Sequence, residues 1–188
     1  MAALKEEGLA AVERLSEQGQ VDVFYADESG VSMQPCVPYG WQFADERVAI
    51  PSERGGGVNC FALLSRDNRC RVRLTQGAIT AELVSEELDA FSRLIERPTV
   101  VVLDNARVHR KAVKAREAVW QGRGLFVLFL PTYSPHLNIA EVLWRKLKYE
   151  WLGPEDYADE ETLRLAVWQA LSAVGTSLFI RFSAFRAT

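Results

Sequence analysis

Residues 99–130 read TVVVLDNARVHRKAVKAREAVWQGRGLFVLFL, two apolar runs on either side of a basic, helix-forming segment. The runs 99–103 and 125–130 contain no charged residue, which is typical of strands buried on both faces of a sheet. The segment from about 110 to 120 predicts a helix, followed by Gly122 and Gly124. A strand, a helix and a strand in this order form a right-handed crossover with two parallel strands. The stretch therefore predicts an α/β fold.

Three further strands are predicted before this unit, at residues 21–26, 58–64 and 70–74. The second and third are joined by residues 66–69, whose turn-forming composition favours a β-hairpin. We therefore expect a mixed sheet in which three antiparallel strands precede the two parallel strands, with helices on its flanks.

The remaining helices are predicted from apolar residues at helical spacing. They cover residues 2–18, 80–95 and 159–174, and another begins at Ser134-Pro135 with Asn138 as a later cap. Residues 31–57 are irregular in pattern, and Tyr39-Gly40-Trp41 within them predicts either a short hairpin or a packed loop.

Length and composition indicate one well-packed core. The chain has 188 residues, 48% of them hydrophobic, which suffices for one domain with an appendage. No apolar run reaches the length of a membrane span and the first residues lack a secretory signal core, so the expected location is the cytoplasm. Cys36, Cys60 and Cys70 form no Cys-x-x-Cys pair, so neither a disulfide framework nor a zinc site is indicated.

Charge is unevenly distributed along the chain. The net charge of −3 does not by itself favour a nucleic-acid partner. Residues 104–150, however, contain 9 basic and 4 acidic residues. This segment is compatible with a basic face that contacts phosphates, although a solvated surface explains any single Lys or Arg equally well.

Three acidic residues occupy positions that a sheet of this kind can bring together. Asp27 follows the first strand, Asp104 follows the fourth, and Glu141 lies near the start of the helix after the fifth. If the first strand pairs beside the fourth, all three carboxylates meet at the carboxyl edge of the parallel strands. Clustered carboxylates repel one another unless a cation screens them, and their hard oxygens suit Mg²⁺ or Mn²⁺. Two such ions about 4 Å apart support in-line displacement at phosphorus.

Each carboxylate also has a structural explanation. Asp27 can start a turn and Asp104 can cap the next helix. Asn138-x-x-Glu141 resembles a capping box, and Glu141 precedes Arg145 by four residues, the favourable order for a helical ion pair. The joint placement of the three residues favours the catalytic interpretation.

Three blocks of the sequence resemble the signature blocks of bacterial insertion-sequence transposases of the mariner superfamily. They are YADESG at residues 25–30, VLDNARVH at 102–109 and LPTYSPHLNIAEVLW at 130–144. The family has a ribonuclease H-like catalytic domain with a DDE triad. The resemblance implies that Asp27, Asp104 and Glu141 bind two Mg²⁺ ions, with Mn²⁺ as a substitute, and that the enzyme hydrolyses DNA at transposon ends and transfers the freed 3′ hydroxyl to target DNA. The third block departs from the family at Ile139 and Ala140, where Pro and Ile are usual.

The resemblance also implies a division of the chain. Residues 1–19 are expected to be a lead-in or linker helix, residues 20–152 the ribonuclease H-like DDE core, and residues 153–188 a C-terminal helical extension packed on the core. Full-length relatives carry helix-turn-helix domains for recognition of transposon ends, and the 20 residues before the first strand cannot hold one. The chain is accordingly interpreted as a catalytic-domain fragment, half of a split reading frame or a decayed copy. DNA is the expected partner, at transposon ends and target sites in the nucleoid, with a homodimer as a further expectation.

Other residues receive supporting roles. Asn105 and His109 match the second block and are expected to orient a metal-bound water or a phosphate, although His109 can equally be an ordinary helix-start histidine. DNA phosphates are the expected contacts of six basic residues, for which a solvated surface is the alternative: Arg107, Arg110, Lys111, Lys114, Arg145 and Lys148.

Two other functions remain open. A catalytically silent remnant could bind DNA or a partner protein through the apolar tail around Phe179 and Phe182. A ribonuclease or junction nuclease of the same fold is disfavoured by Asp104-Asn105 and Ser134-Pro135.

Overall fold

A computed structural model describes residues 2–36, 44–45, 55–131 and 134–183. Its centre is a five-stranded sheet in the order β3-β2-β1-β4-β5. Strand β2 is antiparallel to both of its neighbours, β1 and β3. Strand β4 runs parallel to β1, and β5 runs parallel to β4. The predicted mixed sheet is therefore confirmed, with these strand bounds: β1 Asp22–Ser32, β2 Gly57–Leu64, β3 Cys70–Thr75, β4 Thr99–Leu103 and β5 Leu125–Phe129.

Helices cover both faces of the sheet, because the strands in its middle are apolar on both sides. They are α1 Ala2–Glu17, α2 Ala81–Ser92, α3 Arg107–Gln121, α4 Ala140–Lys146 and α5 Glu160–Ser172. Short 3-10 helices span Pro135–Leu137 and Pro154–Tyr157, and a π-helical turn, Leu147–Trp151, extends α4. None of the described helices is long and apolar enough to cross a membrane.

The two faces of the sheet have separate cores. Leu88 of α2 and Trp120 of α3 belong to one core, while Leu143 of α4 and Leu163 of α5 belong to the other. Strand β1 contributes to both, because successive side chains of a strand point to opposite faces. Tyr25 lies in the α4 core and Phe24 in the α3 core.

The prediction that the first strand ends before Asp27 is wrong. Strand β1 continues to Ser32, because β2 pairs with it as far as the register Ser32↔Gly57. The parallel pairing of β1 with β4, however, is recorded only to Tyr25↔Val102. Asp27 thus lies within β1, two residues beyond Tyr25, the last residue of β1 that pairs with β4.

Several predicted helix bounds also differ from the structure. Helix α3 begins at Arg107 rather than near 110, and α2 ends at Ser92 rather than 95. The helix expected from Ser134-Pro135 starts as the 3-10 helix, and α4 follows only at Ala140. The side chain of Asn138 explains this break, since its Oδ1 accepts from the Ala140 N–H at 3.1 Å and its amide donates to the Ala26 carbonyl at 3.3 Å.

At the end of the sheet opposite Asp27, three distant segments of the chain meet around the β2–β3 turn. Glu13 of α1 is 2% exposed and pairs with Arg66 at 2.9 Å, and the Arg66 guanidinium donates to the Ser183 carbonyl at 3.0 Å. Asn68, which has a φ of 66°, donates to the Ile180 carbonyl at 3.0 Å and accepts from the Ile180 N–H at 2.6 Å. The helix α1 and the C-terminal segment are thereby fixed to the same turn.

The apolar tail is divided between core and solvent. Ile180 is 2% exposed and Phe182 packs against the α4 core, but Phe179 is 62% exposed. Tyr39-Gly40-Trp41 lies outside the described residues, so that prediction stays open.

Candidate active site

The positions of Asp27 and Asp104 follow from the register of the two central parallel strands. Tyr25 of β1 is paired with Val102 of β4, and each aspartate lies two residues further along its strand direction. The two residues are therefore level with each other on neighbouring strand paths, which lie about 4.8 Å apart where they pair. The two aspartates thus lie just beyond the paired part of β1 and β4, although only β4 ends there.

Asp27 lies on the α4 side of the sheet, because side chains of a strand alternate between the two faces and Tyr25, two residues earlier, lies in the α4 core. Its Oδ2 accepts a hydrogen bond from the indole Nε1 of Trp144 at 3.1 Å. Burial, followed by the charges of Glu28 and Glu141, raises the pKa of Asp27 from 3.8 to about 7 against the opposing effect of the Trp144 bond. Trp144 belongs to the same helix as Glu141, so this bond brings α4 beside Asp27.

Glu141 is brought there by the packing of α4 on β1. Ala140 and Leu143 on either side of it are fully buried, while Glu141 itself is exposed in the first turn of the helix. The bond from Asn138 to the Ala26 carbonyl fixes the start of α4 directly beside Asp27. Among the described side chains Glu141 forms no ion pair with Arg145, so the structural explanation offered for Glu141 is weakened.

Asp104 is held from the opposite face by α3. Its Oδ1 accepts from the backbone N–H of Ala106 at 2.9 Å and contacts Nδ1 of His109 at 2.6 Å. The His109 bond lowers the pKa of Asp104 despite the opposing effect of burial. No described residue donates a hydrogen bond to Oδ2 of Asp104, so this oxygen is available to a ligand.

His109 is fully buried and lies between two carboxylates. Its Nε2 is 2.8 Å from Oε2 of Glu28, the residue that follows Asp27. Both atoms are buried, and their approach is an ion-pair contact rather than a well-aligned hydrogen bond. Burial by itself lowers the pKa of His109, but the hydrogen bond to Asp104 and the contact with Glu28 outweigh burial and raise it to about 9. The imidazole therefore carries a positive charge near neutral pH. Because it is fully buried, it does not face the solvent from which a water or a phosphate would reach it.

Asn105 connects the ends of two strands. Its amide donates to the Leu130 carbonyl just after β5, and its Oδ1 accepts from the Arg110 guanidinium. The side chain thus supports the strand ends that carry the site.

The three carboxylates are neighbours but are not gathered around one point. In the described part of the chain, no group of three His, Cys, Asp or Glu side chains is close enough together to hold a metal ion as it stands. Asp27 and Glu141 interact electrostatically, and Asp104 is level with Asp27, with no described residue bonded to its Oδ2. The donor set consists of carboxylate oxygens, which fits a hard divalent cation.

The predicted DNA-contacting residues lie on α3 and α4. Arg107, Lys114 and Arg145 are exposed. Lys111 pairs with Glu82 of α2 at 2.8 Å, and Lys148 is half-buried with its charge near Cys60. Because α3 and α4 cover opposite faces of the sheet, these residues form two basic patches rather than one surface.

Sequence reasoning assigned no role to Glu28 and no site contact to Trp144. Strand alternation after Asp27 indicates that Glu28 must face α3, but nothing in the sequence shows that a buried histidine meets it there. The bond from Trp144 to Asp27 likewise joins residues 117 positions apart.

Comparison with known proteins identifies related sequences and structures. The family described as DDE superfamily endonuclease matches residues 22–164. A protein of Shigella sonnei, described as the insertion element IS630 uncharacterized 39 kDa protein, is 26% identical over 149 residues, or 76% of this chain and 43% of that protein. Mos1 transposase in a paired-end complex with the left transposon end has a TM-score of 0.58 and 15% identity over 93% of this chain and 58% of its own. The Mos1 mariner paired-end complex with Mn also has a TM-score of 0.58, with 12% identity over 93% and 59% of the two chains.

At these identities the Mos1 structures show the fold, which is the ribonuclease H-like fold predicted from the sequence. The chain spans about half the length of the relatives it matches. The family match covers most of the chain, including Asp27, Asp104 and Glu141. The chain therefore belongs to the DDE superfamily endonuclease family.

Proposed function

We propose that this chain is the catalytic part of a DNA transposase, which hydrolyses phosphodiester bonds at transposon ends and transfers the freed strand to target DNA. The observation that carries the proposal is the level placement of Asp27 in β1 and Asp104 directly after β4, with α4, which carries Glu141, bonded to Asp27 through Trp144. Membership of the endonuclease family supports the same reaction.

Asp27, Asp104 and Glu141 are the residues that would hold the divalent ions, two Mg²⁺ with Mn²⁺ as a substitute. Bound at these carboxylates, such ions would supply activation of the attacking oxygen and charge stabilisation of the leaving oxygen. The protein's own contribution is orientation, because Trp144 fixes one oxygen of Asp27 and the α3 side fixes one oxygen of Asp104.

DNA would contact exposed basic residues of both α3 and α4, which lie on the two faces of the sheet. Arg107, Lys114 and Arg145 are exposed and suited to phosphate contacts, which position a duplex without reading its sequence. Asn105 and His109 support this site from within the protein. The proposal includes residues 20–152 as the catalytic core, residues 1–19 as the lead-in helix and residues 153–188 as an extension on the core. A homodimer at paired ends in the nucleoid is also part of the proposal.

Metal-dependent nicking of supercoiled DNA tests this function. Asp104→Asn, Asp27→Asn and Glu141→Gln each remove one carboxylate charge with little change in shape, so we expect each to lower the nicking rate with Mg²⁺ or Mn²⁺ by at least about 100-fold. Glu117→Gln, an exposed position on α3, is the matched control and should retain the rate of the unmodified chain. Equal nicking by all five proteins would show that the activity does not come from these carboxylates and would overturn the proposal.

A silent remnant that binds DNA or a partner is the second candidate, because Phe179 is 62% exposed beside an otherwise docked segment. This alternative predicts that the chain binds DNA but does not nick it with either ion.

A further inference from the structure

We propose that Glu28 is a positioning residue: through the buried His109 it fixes the Asp104 carboxylate by Oδ1, leaving Oδ2 to a divalent cation. The inference rests on the proposed function, since it assigns the metal site its supporting residues. It gives a role to Glu28, which directly follows the proposed ligand Asp27 and acts on the proposed ligand Asp104.

The hydrogen bonds at Asp104 show which oxygen the protein holds. Both donors, the Ala106 N–H at 2.9 Å and His109 Nδ1 at 2.6 Å, engage the same atom, Oδ1. With one oxygen held by two donors, the carboxylate plane has little freedom to rotate. A metal ligand that is held in this way pays less orientational entropy when the ion binds.

The orientation of the His109 ring depends in turn on Glu28. The imidazole is 0% exposed, and its second nitrogen lies 2.8 Å from Oε2 of Glu28. Both of these atoms are buried and neither has a well-aligned hydrogen bond within the described structure. The Phe61 ring, with its centroid 6.2 Å from that of His109, forms a wall on the same side, since Phe61 is the register partner of Glu28.

Strand β1 therefore acts on both aspartates. Asp27 faces α4 and is the proposed ligand, whereas Glu28 faces α3 and reaches Asp104 through one imidazole. Because Asp27 and Glu28 are consecutive, the two sides of the site are set by a single strand, which is paired with β2 at both residues. This arrangement couples the orientation of Asp104 to the position of Asp27.

The test compares the affinity of the full chain for Mn²⁺, measured from free Mn²⁺ by electron paramagnetic resonance, in Glu28→Gln and Glu86→Gln. Both substitutions remove one negative charge, but Glu86 is an exposed residue of α2. We expect Glu28→Gln to weaken Mn²⁺ binding by about 10-fold or more, the usual effect of losing a residue that orients a metal ligand. Glu86→Gln should leave the affinity of the unmodified chain unchanged.

A double substitution distinguishes positioning from a general effect of charge or stability. His109→Asn places an amide near the position of Nδ1 but cannot reach Glu28. If Glu28 acts through His109, adding Glu28→Gln to His109→Asn produces no further loss of affinity. An additive loss would mean that Glu28 acts directly by charge and would overturn the proposal. If His109→Asn fails to fold, the test rests on the comparison of Glu28→Gln with Glu86→Gln. Equal Mn²⁺ affinities of these two variants would overturn the proposal.

The same measurement separates this inference from the proposed function. Loss of Mn²⁺ binding in Asp27→Asn together with unchanged binding in Glu28→Gln rejects the positioning role only. Binding that is insensitive to both Asp27→Asn and Asp104→Asn rejects the metal site and, with it, the positioning role.

Discussion

Asp27 and Glu28 are adjacent carboxylates with opposite surroundings. Asp27 meets an indole N–H and the charge of Glu141 on the α4 side, while Glu28 meets a positively charged imidazole on the α3 side. The difference arises from strand alternation alone. The ionised form of Asp27 is therefore unfavourable in the metal-free protein, whereas Glu28 has the His109 imidazolium as its partner below the His109 pKa of about 9.

The raised pKa of Asp27 makes the stability of the metal-free protein depend on pH. The carboxyl group ionises at about 7 in the folded chain and at 3.8 when exposed, so the folded state binds more protons between these values and loses stability as the pH rises. We expect Asp27→Asn to be neutral near pH 3 and to become increasingly stabilising up to pH 7, by at most about 4 kcal/mol above that pH. Urea denaturation in a chelating buffer measures the difference.

Glu86→Gln is a suitable control for this measurement, because the residue is exposed. A constant effect of Asp27→Asn from pH 4 to pH 8 would contradict the assigned pKa.

At the scale of elements, the placement of Glu141 depends on how α4 begins. Asn138 is 4% exposed and joins the first N–H of α4 to the Ala26 carbonyl of β1. The residues Pro135–Leu137 form a separate 3-10 turn, so Asn138 is the point at which the chain is attached to the sheet.

Removal of this attachment should affect both stability and metal binding. Asn138→Ala leaves a buried carbonyl and a buried N–H without their partner, and we expect a loss of about 2 to 3 kcal/mol in the free energy of unfolding. Mn²⁺ affinity should fall as well, because Glu141 loses its fixed position. Denaturant midpoints and Mn²⁺ titration measure the two effects, with the exposed His136→Ala as the control. A stability loss without any change in Mn²⁺ affinity would argue against a role for Glu141 in the metal site.

Elements with strong local signals could be predicted, and elements that depend on partners could not. The bounds of β4 are predicted correctly, because an uninterrupted apolar run lies between Pro98 and Asp104-Asn105. The second half of β1 was missed, because DESGVS has the composition of a turn and becomes a strand only through pairing with β2. The same distinction applies to the site: Asp27 and Asp104 follow from strand order, whereas the contact of Glu28 with His109 requires the packing of α3 on the sheet.

At the scale of the whole molecule, the two ends of the sheet have different roles. One end carries the candidate site, and at the other end α1 and the C-terminal segment are bonded to the β2–β3 turn. Glu13, Arg66 and Asn68 connect α1, the β2–β3 turn and the C-terminal segment away from the carboxylates. Asp27 and Asp104 lie at the opposite end of the paired part of β1 and β4. Substitutions at the closing end should therefore change stability without changing the site.

Asn68 provides the test of this separation. Its left-handed conformation is accessible to Gly, so Asn68→Gly removes the two hydrogen bonds to Ile180 without backbone strain. We expect a loss of about 2 kcal/mol in unfolding free energy and faster tryptic cleavage at Arg181, while Asn68→Ala should cost more because of its φ. Unchanged cleavage at Arg181 in both variants would show that other contacts hold the segment.

The bond between the Trp144 indole and Asp27 also has an optical consequence. Indole emission responds to the local electric field. The Trp144 N–H donates to Oδ2 of Asp27, and a cation bound at this carboxylate would compensate its charge. The fluorescence of this ring can therefore report occupancy of the site without any label. Since the chain contains 5 tryptophans, subtraction of the spectrum of Trp144→Phe isolates the signal.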